Sequence, residues 1–170
     1  DKGRVNQITN RRGQVTKLSY NDHSQITQRE TPDGTTKYGY DAHGNLTTVT
    51  DERGIISYSY DAGDRLIKLT DPSAHQLTYS YDAAGRRVSI KDETGYETGY
   101  QYTPNGQLAA VTDKTGTKLT SYDYNALGQL TKETRANGVS TSYSYDVLGR
   151  LAGQIDTLKD GSAPAISYRY

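Results

Sequence analysis

The sequence predicts an all-β fold of antiparallel β-hairpin repeats, about 20–22 residues each, that form a curled or spiralling sheet. A pair of residues two positions apart, usually both tyrosine, recurs along the chain. Its second member stands at Tyr20, Tyr40, Tyr60, Tyr81, Tyr102, Tyr124 and Tyr145. Subtracting neighbouring positions gives steps of 20 to 22 residues, with a turn signal every 10 to 12 residues. Repeats at a fixed step predict units that stack on their neighbours in an array.

The strand before each turn has a period of two. Tyr58 and Tyr60 point to one face, whereas Ser57 and Ser59 point to the other, which is typical of a half-buried strand. The strand after the turn differs, because the apolar residues at the two ends of segment 46–49 are three positions apart. A β-bulge or a strong local twist reconciles that spacing with a strand, and we expect about fourteen short strands in all.

The turns begin with Asp or Asn and carry Gly in the fourth place, as in Asp41 and Gly44. This order predicts a type I turn followed by a residue of positive φ, which is a hairpin connection with a bulge at Gly. Gly63 and Asp64 reverse the expected order, so we expect that turn to differ in geometry. After Leu151 the step lengthens, and segment 159–164 is predicted to be a longer loop before the next pair, Tyr168 and Tyr170.

The fullest copy of the repeat, residues 143–151, reads Tyr-Ser-Tyr-Asp-Val-Leu-Gly-Arg-Leu, and residues 79–86 are nearly as close to it. The residues assigned to the repeated structural motif are Tyr38, Tyr40, Asp41, Gly44, Leu46, Tyr58, Tyr60, Asp61, Tyr79, Tyr81, Asp82, Gly85, Tyr100, Tyr102, Gly106, Tyr122, Tyr124, Gly128, Tyr143, Tyr145, Asp146, Gly149, Arg150 and Leu151. This pattern resembles the Rhs/YD-repeat family, which includes bacterial Rhs polymorphic toxin shells, Tc-toxin cocoons and teneurin-like YD shells. The resemblance covers residues 1–170 as seven repeats, of which the last segment, 152–170, is irregular.

The resemblance implies a hollow YD-repeat shell. In bacterial members the shell encloses a toxic C-terminal polypeptide, and in animal teneurins it belongs to a cell-adhesion receptor. It therefore implies that this chain is a non-catalytic wall segment of a secreted or cell-surface protein, with the rest of the shell and an enclosed toxin as partners. Bacterial members carry an Asp-Pro-x-Gly-Leu autocleavage motif. Segment 71–74 begins like that motif but lacks its Gly-Leu, so we interpret the segment as a turn.

The composition suits a thin sheet. Hydrophobic residues make up only 32% of the chain, and 16 tyrosines stand where an ordinary core has Phe, Trp or Met, all of which are missing. Tyrosine has an apolar ring and a polar tip, so it suits half-wet surfaces. A net charge of zero gives no drive toward nucleic acid or an anionic membrane. No apolar run approaches the roughly 20 residues of a membrane span. Because the chain starts at Asp1 without Met, we expect a piece of something longer.

The sequence predicts no enzyme, no cofactor and no metal. The recurring Asp is interpreted as a turn cap, since Asn and Thr take its place in other copies. His23 and His43 occupy equivalent positions but make an incomplete metal site. Arg65, Arg86 and Arg150 are expected on the polar face or reaching the next strand.

The tyrosine rows have two interpretations. They stack along one sheet face and cover the leucine column, or they form a platform for sugar rings or a partner chain. The second interpretation keeps an alternative function open, in which the chain is an extracellular adhesion or carbohydrate-binding repeat module that binds glycans or a cell-surface receptor. We also expect self-association through open strand edges near Val5 and Tyr170.

Overall fold

The computed structural model describes residues 3–162 and 165–167, which contain strands and turns and no helix. The predicted all-β, antiparallel fold class is confirmed. The strands are β1 Gln7–Thr9, β2 Val15–Tyr20, β3 Ile26–Thr31, β4 Gly34–Tyr40, β5 Leu46–Asp51, β6 Gly54–Tyr60, β7 Leu66–Thr70, β8 Gln76–Tyr81, β9 Arg87–Asp92, β10 Glu97–Tyr102, β11 Leu108–Thr112, β12 Lys118–Tyr124, β13 Leu130–Arg135, β14 Ser140–Tyr145, β15 Leu151–Thr157 and β16 Ala165–Ser167. The described residues thus hold two more strands than the expected fourteen, because each predicted repeat contributes a pair and both ends add short strands.

The chain divides into two structural units, Asp1–Tyr79 with Asp92–Thr94, and Ser80–Lys91 with Gly95–Tyr170. In the first unit the strands from β1 to the first part of β8 pair in chain order. Tyr38 lies opposite Val49, which lies opposite Ile56 on the next strand, and Tyr58 lies opposite Leu69. The tyrosine face of this unit therefore has apolar cross-strand neighbours.

In the second unit the strands from β9 to β16 pair in the same way. Tyr100 still lies opposite an apolar residue, Val111, but Tyr122 lies opposite Glu133. Glu133 forms an ion pair of 2.9 Å with Arg135. The tyrosine face of this unit is therefore partly polar, although its register is that of the first unit.

The predicted bulge lies at the second tyrosine of each copy. The register shifts between Gly39 and Tyr40, so that Tyr40 lies opposite Leu46 while Gly39 lies opposite Thr48. The same shift recurs between Ser59 and Tyr60 and at four further copies. One extra residue on the second strand explains how apolar residues three apart share a face.

The sheet has almost no dry core. Among the described residues Ala110 is the only buried apolar one, at 0% exposure, and the buried polar side chains are Thr112, Ser140 and Thr141. Tyrosine rings and aliphatic side chains are instead half-buried on the sheet face, as expected of a thin sheet. None of the described residues lies in a helix long and apolar enough to cross a membrane.

Two expectations about the turns are wrong. The turn at Asp61 keeps the hydrogen bonds of the others, since Asp64 donates its N–H to the Asp61 carbonyl at 3.1 Å and takes a φ of 59° in place of Gly. Short polar side chains tolerate that conformation. The turns 31–34 and 51–54 have no bulge at Gly, because Gly34 pairs directly with Thr31 and Gly54 with Asp51 across two-residue loops.

The end of the chain stays regular longer than expected, because β15 runs from Leu151 to Thr157. The longer loop predicted at 159–164 begins with a turn in which Gly161 donates its N–H to the Leu158 carbonyl at 2.9 Å. The predicted pair Tyr168 and Tyr170 lies outside the described residues, as do positions 163 and 164 of the loop.

Replacing Ala74 with glycine is expected to raise the free energy of unfolding by about 1 kcal/mol, as urea denaturation would measure. Ala74 takes the fourth place of its turn with a φ of 67°, and its methyl side chain makes no hydrogen bond that offsets the strain. The matched control is Ala84→Gly, at a turn position without positive φ, which is expected to lower the free energy of unfolding by about 0.5 kcal/mol. Equal effects of the two changes would contradict the prediction.

Candidate functional site

The turn that follows each tyrosine strand is closed by the side chain of its first residue. In the turn at Asp61, carboxylate Oδ1 accepts the N–H groups of Gly63 at 2.9 Å and of Arg65 at 3.0 Å. The backbone of Asp61 also donates to the Arg65 carbonyl at 3.0 Å. The same two side-chain caps recur at Asn21, Asp41, Asp71, Asp82, Asp113, Asn125 and Asp146. One acceptor oxygen thus serves two backbone donors that the turn leaves without strand partners.

In the turns that begin with Asp61, Asp82 and Asp146, the side chain of the fifth residue binds the first. Arg65 Nε donates to Asp61 Oδ2 at 2.8 Å, and the equivalent bonds of Arg86 to Asp82 and of Arg150 to Asp146 measure 2.7 Å. The expectation that these arginines lie on the polar face or reach the next strand did not include this bond: each pairs with the carboxylate of its own turn, because four residues of turn bring the two side chains together.

Asparagine turns use glutamine at the fifth place instead. Asn21 Nδ2 donates to Gln25 Oε1 at 2.8 Å, and Asn125 Nδ2 donates to Gln129 Oε1 at 2.7 Å. Sequence reasoning missed these partners. The signal was present, since Asp stands before Arg and Asn before Gln at the same spacing in several copies.

The glutamines also join neighbouring turns. Gln25 Nε2 donates to the Gly44 carbonyl at 2.9 Å. Gln107 and Gln129 donate in the same way to Gly128 at 2.8 Å and Gly149 at 3.1 Å, each one repeat further along. Every such bond satisfies a glycine carbonyl at a turn tip. The turns on this edge are therefore linked in a row within each unit.

The hydroxyl of the second tyrosine makes another link between repeats. Tyr60 donates to the Leu46 carbonyl at 2.8 Å. That carbonyl lies beyond the last β5–β6 pair, Thr48 with Ser57. Hydroxyls at 2.7–2.9 Å from equivalent carbonyls belong to Tyr20, Tyr40, Tyr102, Tyr124 and Tyr145. The second tyrosine column thus supplies donors where the ladder of strand pairs stops.

Removing one of these hydroxyls tests the link. We expect Tyr60→Phe to lower the free energy of unfolding by about 1 kcal/mol, because the Leu46 carbonyl loses its donor. The control is Tyr58→Phe in the same strand, whose hydroxyl has no hydrogen bond within the described residues. Its effect is expected to be close to zero in urea denaturation followed by tyrosine fluorescence, and a cost equal to that of Tyr60→Phe would refute the assignment.

Arginine side chains cover two tyrosine rings in the second unit. The Arg86 guanidinium lies 4.7 Å from the centre of the Tyr102 ring, and the Arg87 guanidinium lies 4.9 Å from that of Tyr100. These distances suit cation–π contacts. Arg86 therefore binds its own turn through Asp82 and contacts the tyrosine of the following repeat as well.

The histidines are not brought to one metal ion. His43 Nδ1 lies 2.8 Å from Asp64 Oδ1, on the next turn of the row, and the same oxygen accepts from Asn45 Nδ2 at 2.7 Å. The hydrogen bond to Asp64 raises the pKa of His43. Residues 3–162 and 165–167 hold no group of three or more His, Cys, Asp or Glu arranged for a metal ion.

The turn bonds predict how stability depends on pH. The Arg65 side chain lowers the pKa of Asp61, as Arg86 lowers the pKa of Asp82. A folded-state pKa below the unfolded value of about 3.9 stabilises the fold above that pH and stops doing so as the pH falls through the folded pKa. The hydrogen bond to Asp71 raises the pKa of His75, so its contribution is complete below the unfolded pKa of about 6.5 and is lost as the pH rises.

We therefore expect the urea midpoint to be highest between about pH 5 and 6.5, to fall steeply below about pH 4 and to fall slightly toward pH 8. In the double variant His43→Gln and His75→Gln, the urea midpoint should no longer fall above pH 6.5, but it should still fall at acid pH. A wild-type midpoint that stays constant between pH 6 and 8 would contradict the role given to the histidines.

Comparison with known proteins shows which family model and which solved structures resemble this chain. The teneurin YD-shell family model matches residues 6–168. The crystal structure of TcdB2-TccC3-Cdc42 matches with a TM-score of 0.78 and 16% identity, over 91% of this chain and 10% of that chain. The Tc holotoxin pore of Photorhabdus luminescens with a mutant TccC3 gives a TM-score of 0.77 and 17% identity, over 91% and 9%.

The crystal structure of TcdB2-TccC3 without its hypervariable C-terminal region gives a TM-score of 0.55 and 20% identity, over 96% and 12%. Likeness at these identities shows a shared fold. The chain spans about a tenth of the length of the first toxin chains it matches. Comparison with curated protein sequences finds no match.

Proposed function

Because this chain belongs to the teneurin YD-shell family, we propose that it is a wall segment of a hollow YD-repeat shell and that residues 1–170 form one repeat region. The observation that carries the proposal is the linkage of successive repeats. Within each unit, glutamine amides join turn to turn and tyrosine hydroxyls join strand to strand. Such a sheet extends by adding repeats and does not depend on a packed core, which is what a wall requires.

The proposal for what the shell encloses rests on the solved structures that this chain resembles. These relatives are TcdB2-TccC3-Cdc42, TcdB2-TccC3 and a Tc holotoxin pore. By that likeness the enclosed partner is a toxin polypeptide and the protein is secreted or displayed at a cell surface. Its role is structural, since the carboxylates that recur in the repeat are committed to turn bonds; Asp61, Asp82 and Asp146 each accept two backbone N–H groups and one arginine.

The alternative is an adhesion or carbohydrate-binding module that uses the tyrosine rows. The tyrosine rings are half-buried. The hydroxyl groups of the second tyrosine column already donate to backbone carbonyls of the sheet. Sugar recognition would thus rest on the first column, whose members include Tyr38 and Tyr58. A glycan array probed with the wild-type chain and with Tyr38→Ala, Tyr58→Ala tests this function directly.

The shell proposal is tested on the complete protein that contains this chain. Limited proteolysis under native conditions should spare an enclosed polypeptide, whereas the same polypeptide expressed alone should be digested at least tenfold faster. Opening the shell with a low concentration of urea should remove the protection. Equal digestion rates in the two native samples would overturn the proposal, and tyrosine-dependent binding on the glycan array would then favour the module.

A further inference from the structure

Two turn tips of the second unit carry asparagine followed by glycine, at Asn105-Gly106 and at Asn137-Gly138, and all four residues are exposed. The side-chain carbonyl carbon of an asparagine can be attacked by the backbone nitrogen of the residue that follows it. Glycine leaves that nitrogen open, because it has no side chain. Every other asparagine of the chain precedes a residue with a side chain, so these two pairs offer the least steric hindrance to the attack.

In the folded chain both glycine nitrogens are engaged. Gly106 donates its N–H to the Thr103 carbonyl at 2.9 Å, and Gly138 donates its N–H to the Arg135 carbonyl at 3.0 Å. A nitrogen whose proton is held in such a bond is a poor nucleophile. The turn therefore has to open before the asparagine reacts, and the rate at each site depends on how firmly its turn is closed.

The side chains of the two asparagines differ in their bonds. In the turn 135–139 the reactive side chain is itself a cap, because Asn137 Oδ1 accepts the N–H of Val139 at 3.1 Å. In the turn 103–107 the side chain of Asn105 has no hydrogen bond to any of residues 3–162 and 165–167. Reaction at Asn137 therefore requires the loss of one more hydrogen bond than reaction at Asn105.

The turn 103–107 also has fewer caps than its neighbours. Thr103 Oγ1 accepts one backbone N–H, that of Gln107 at 3.1 Å. In the equivalent turn at Asn125, one side-chain oxygen accepts two such groups. The N–H of Asn105 has no cap within the part of the chain that the structure describes. Because its cap is incomplete, we expect this turn to open more readily than the other turns on its edge.

A cation lies beside the reacting atoms of one turn only. A Cβ built on Gly106 would be 3.6 Å from Nη1 of Arg86, whereas a Cβ built on Gly138 would meet the aliphatic part of Lys159, with Cγ at 3.5 Å. Loss of the proton makes the glycine nitrogen negative, and a nearby guanidinium stabilises that charge. The surroundings of Gly106 therefore favour the attack.

We propose that Asn105 is a deamidation site, at which the folded chain is converted to aspartate and isoaspartate ahead of Asn137. The Gly106 nitrogen attacks Cγ of Asn105 and closes a five-membered succinimide ring, while its proton leaves with the side-chain amide as ammonia. Water then opens the ring at one of its two carbonyl groups. One opening gives aspartate, and the other gives isoaspartate, whose main chain is one carbon longer.

Mass spectrometry of peptides from the incubated chain measures both sites in one sample, since each conversion adds one mass unit. In mildly alkaline buffer we expect Asn105 to convert about fivefold faster than Asn137, which is the factor that one net hydrogen bond contributes. In urea that unfolds the chain the two rates should become nearly equal, because both asparagines precede glycine. This comparison separates the effect of the turns from that of the local sequence.

The variant Thr103→Asn tests the role of turn opening without adding charge. It gives the turn the order of residues found at 125–129, with asparagine first, glycine fourth and glutamine fifth. The new side chain precedes Pro104, which has no N–H to react with it. We expect the second cap to slow conversion of Asn105 at least threefold, while Asn137 of the same molecule is the matched control and keeps its rate.

Four results would overturn the proposal. Asn105 stays unmodified in the folded chain while the unfolded chain is converted; or Asn137 reacts as fast as Asn105 in the folded chain; or the difference between the two sites persists in urea, which would assign it to the local sequence; or the folded Thr103→Asn variant is modified at the wild-type rate.

Discussion

Replacing Gly54 with alanine is expected to lower the free energy of unfolding by about 3 kcal/mol. Gly54 opens β6 directly after the two-residue loop at Glu52 and Arg53, with a φ of 125° that L-residues rarely adopt. A Cβ added there would lie 2.8 Å from the Cβ of Pro72 on the neighbouring hairpin. The proline ring has no rotamer that moves this atom away. The cost of the positive φ and the cost of the steric overlap therefore add.

Gly34 provides a matched control that measures the cost of backbone strain without the steric overlap. It occupies the same place after the loop at Pro32 and Asp33, with a φ of 144°, but nothing lies within 4 Å of its added Cβ. Gly34→Ala should therefore cost only the strain, about 1.5 kcal/mol. Urea denaturation followed by tyrosine fluorescence compares the two, and Gly54→Ala in a Pro72→Gly background, which removes the contacting Cβ, should fall to the cost at Gly34. Equal losses for Gly34→Ala and Gly54→Ala would show that the proline contact has no effect.

The fold could be predicted because its signals are local. The two-residue period around Tyr58 and Tyr60 gives a strand, and the turn residues Asp41 and Gly44 give a hairpin with a bulge, without knowledge of any distant contact. The prediction was wrong at Asp64, where the hydrogen bonds of the turn outweigh the preference for glycine at positive φ. It was also wrong at Gly34 and Gly54, because a two-residue loop and a bulged loop share the same sequence signature.

The links between repeats could not be predicted in the same way. Gln129 and Gly149 are 20 positions apart, and only the stacking of one hairpin on the next brings the amide to the carbonyl. The hydroxyl of Tyr60 meets the Leu46 carbonyl for the same reason, at a point set by where the strand pairs end. The sequence indicated polar side chains at these positions. The groups that they bind depend on the register between neighbouring repeats, and that register follows only once the pairing of the strands is known.

Replacing Asn125 with alanine is the second large effect, with an expected loss of about 2 kcal/mol in the free energy of unfolding. Asn125 Oδ1 accepts from the N–H groups of Leu127 and Gln129, both at 3.0 Å. Its Nδ2 holds the Gln129 amide at 2.7 Å, which orients that amide toward the Gly149 carbonyl of the next turn. Alanine removes both caps and frees the residue that joins the two turns.

Variants around the same turn separate these contributions. Gln129→Ala keeps the caps and removes both the bond to Gly149 and the bond from Asn125 Nδ2, so it should cost about 1 kcal/mol. Asn137→Ala, which removes a single cap to Val139 on the opposite edge, should cost about 1 kcal/mol or less. Asn125→Asp with Gln129→Arg converts the turn to the pairing used at Asp82 and Arg86, and it should recover the caps but not the link. A Gln129→Ala variant as stable as the wild type would mean that the bond to Gly149 contributes nothing and that each turn is stabilised by its own bonds alone.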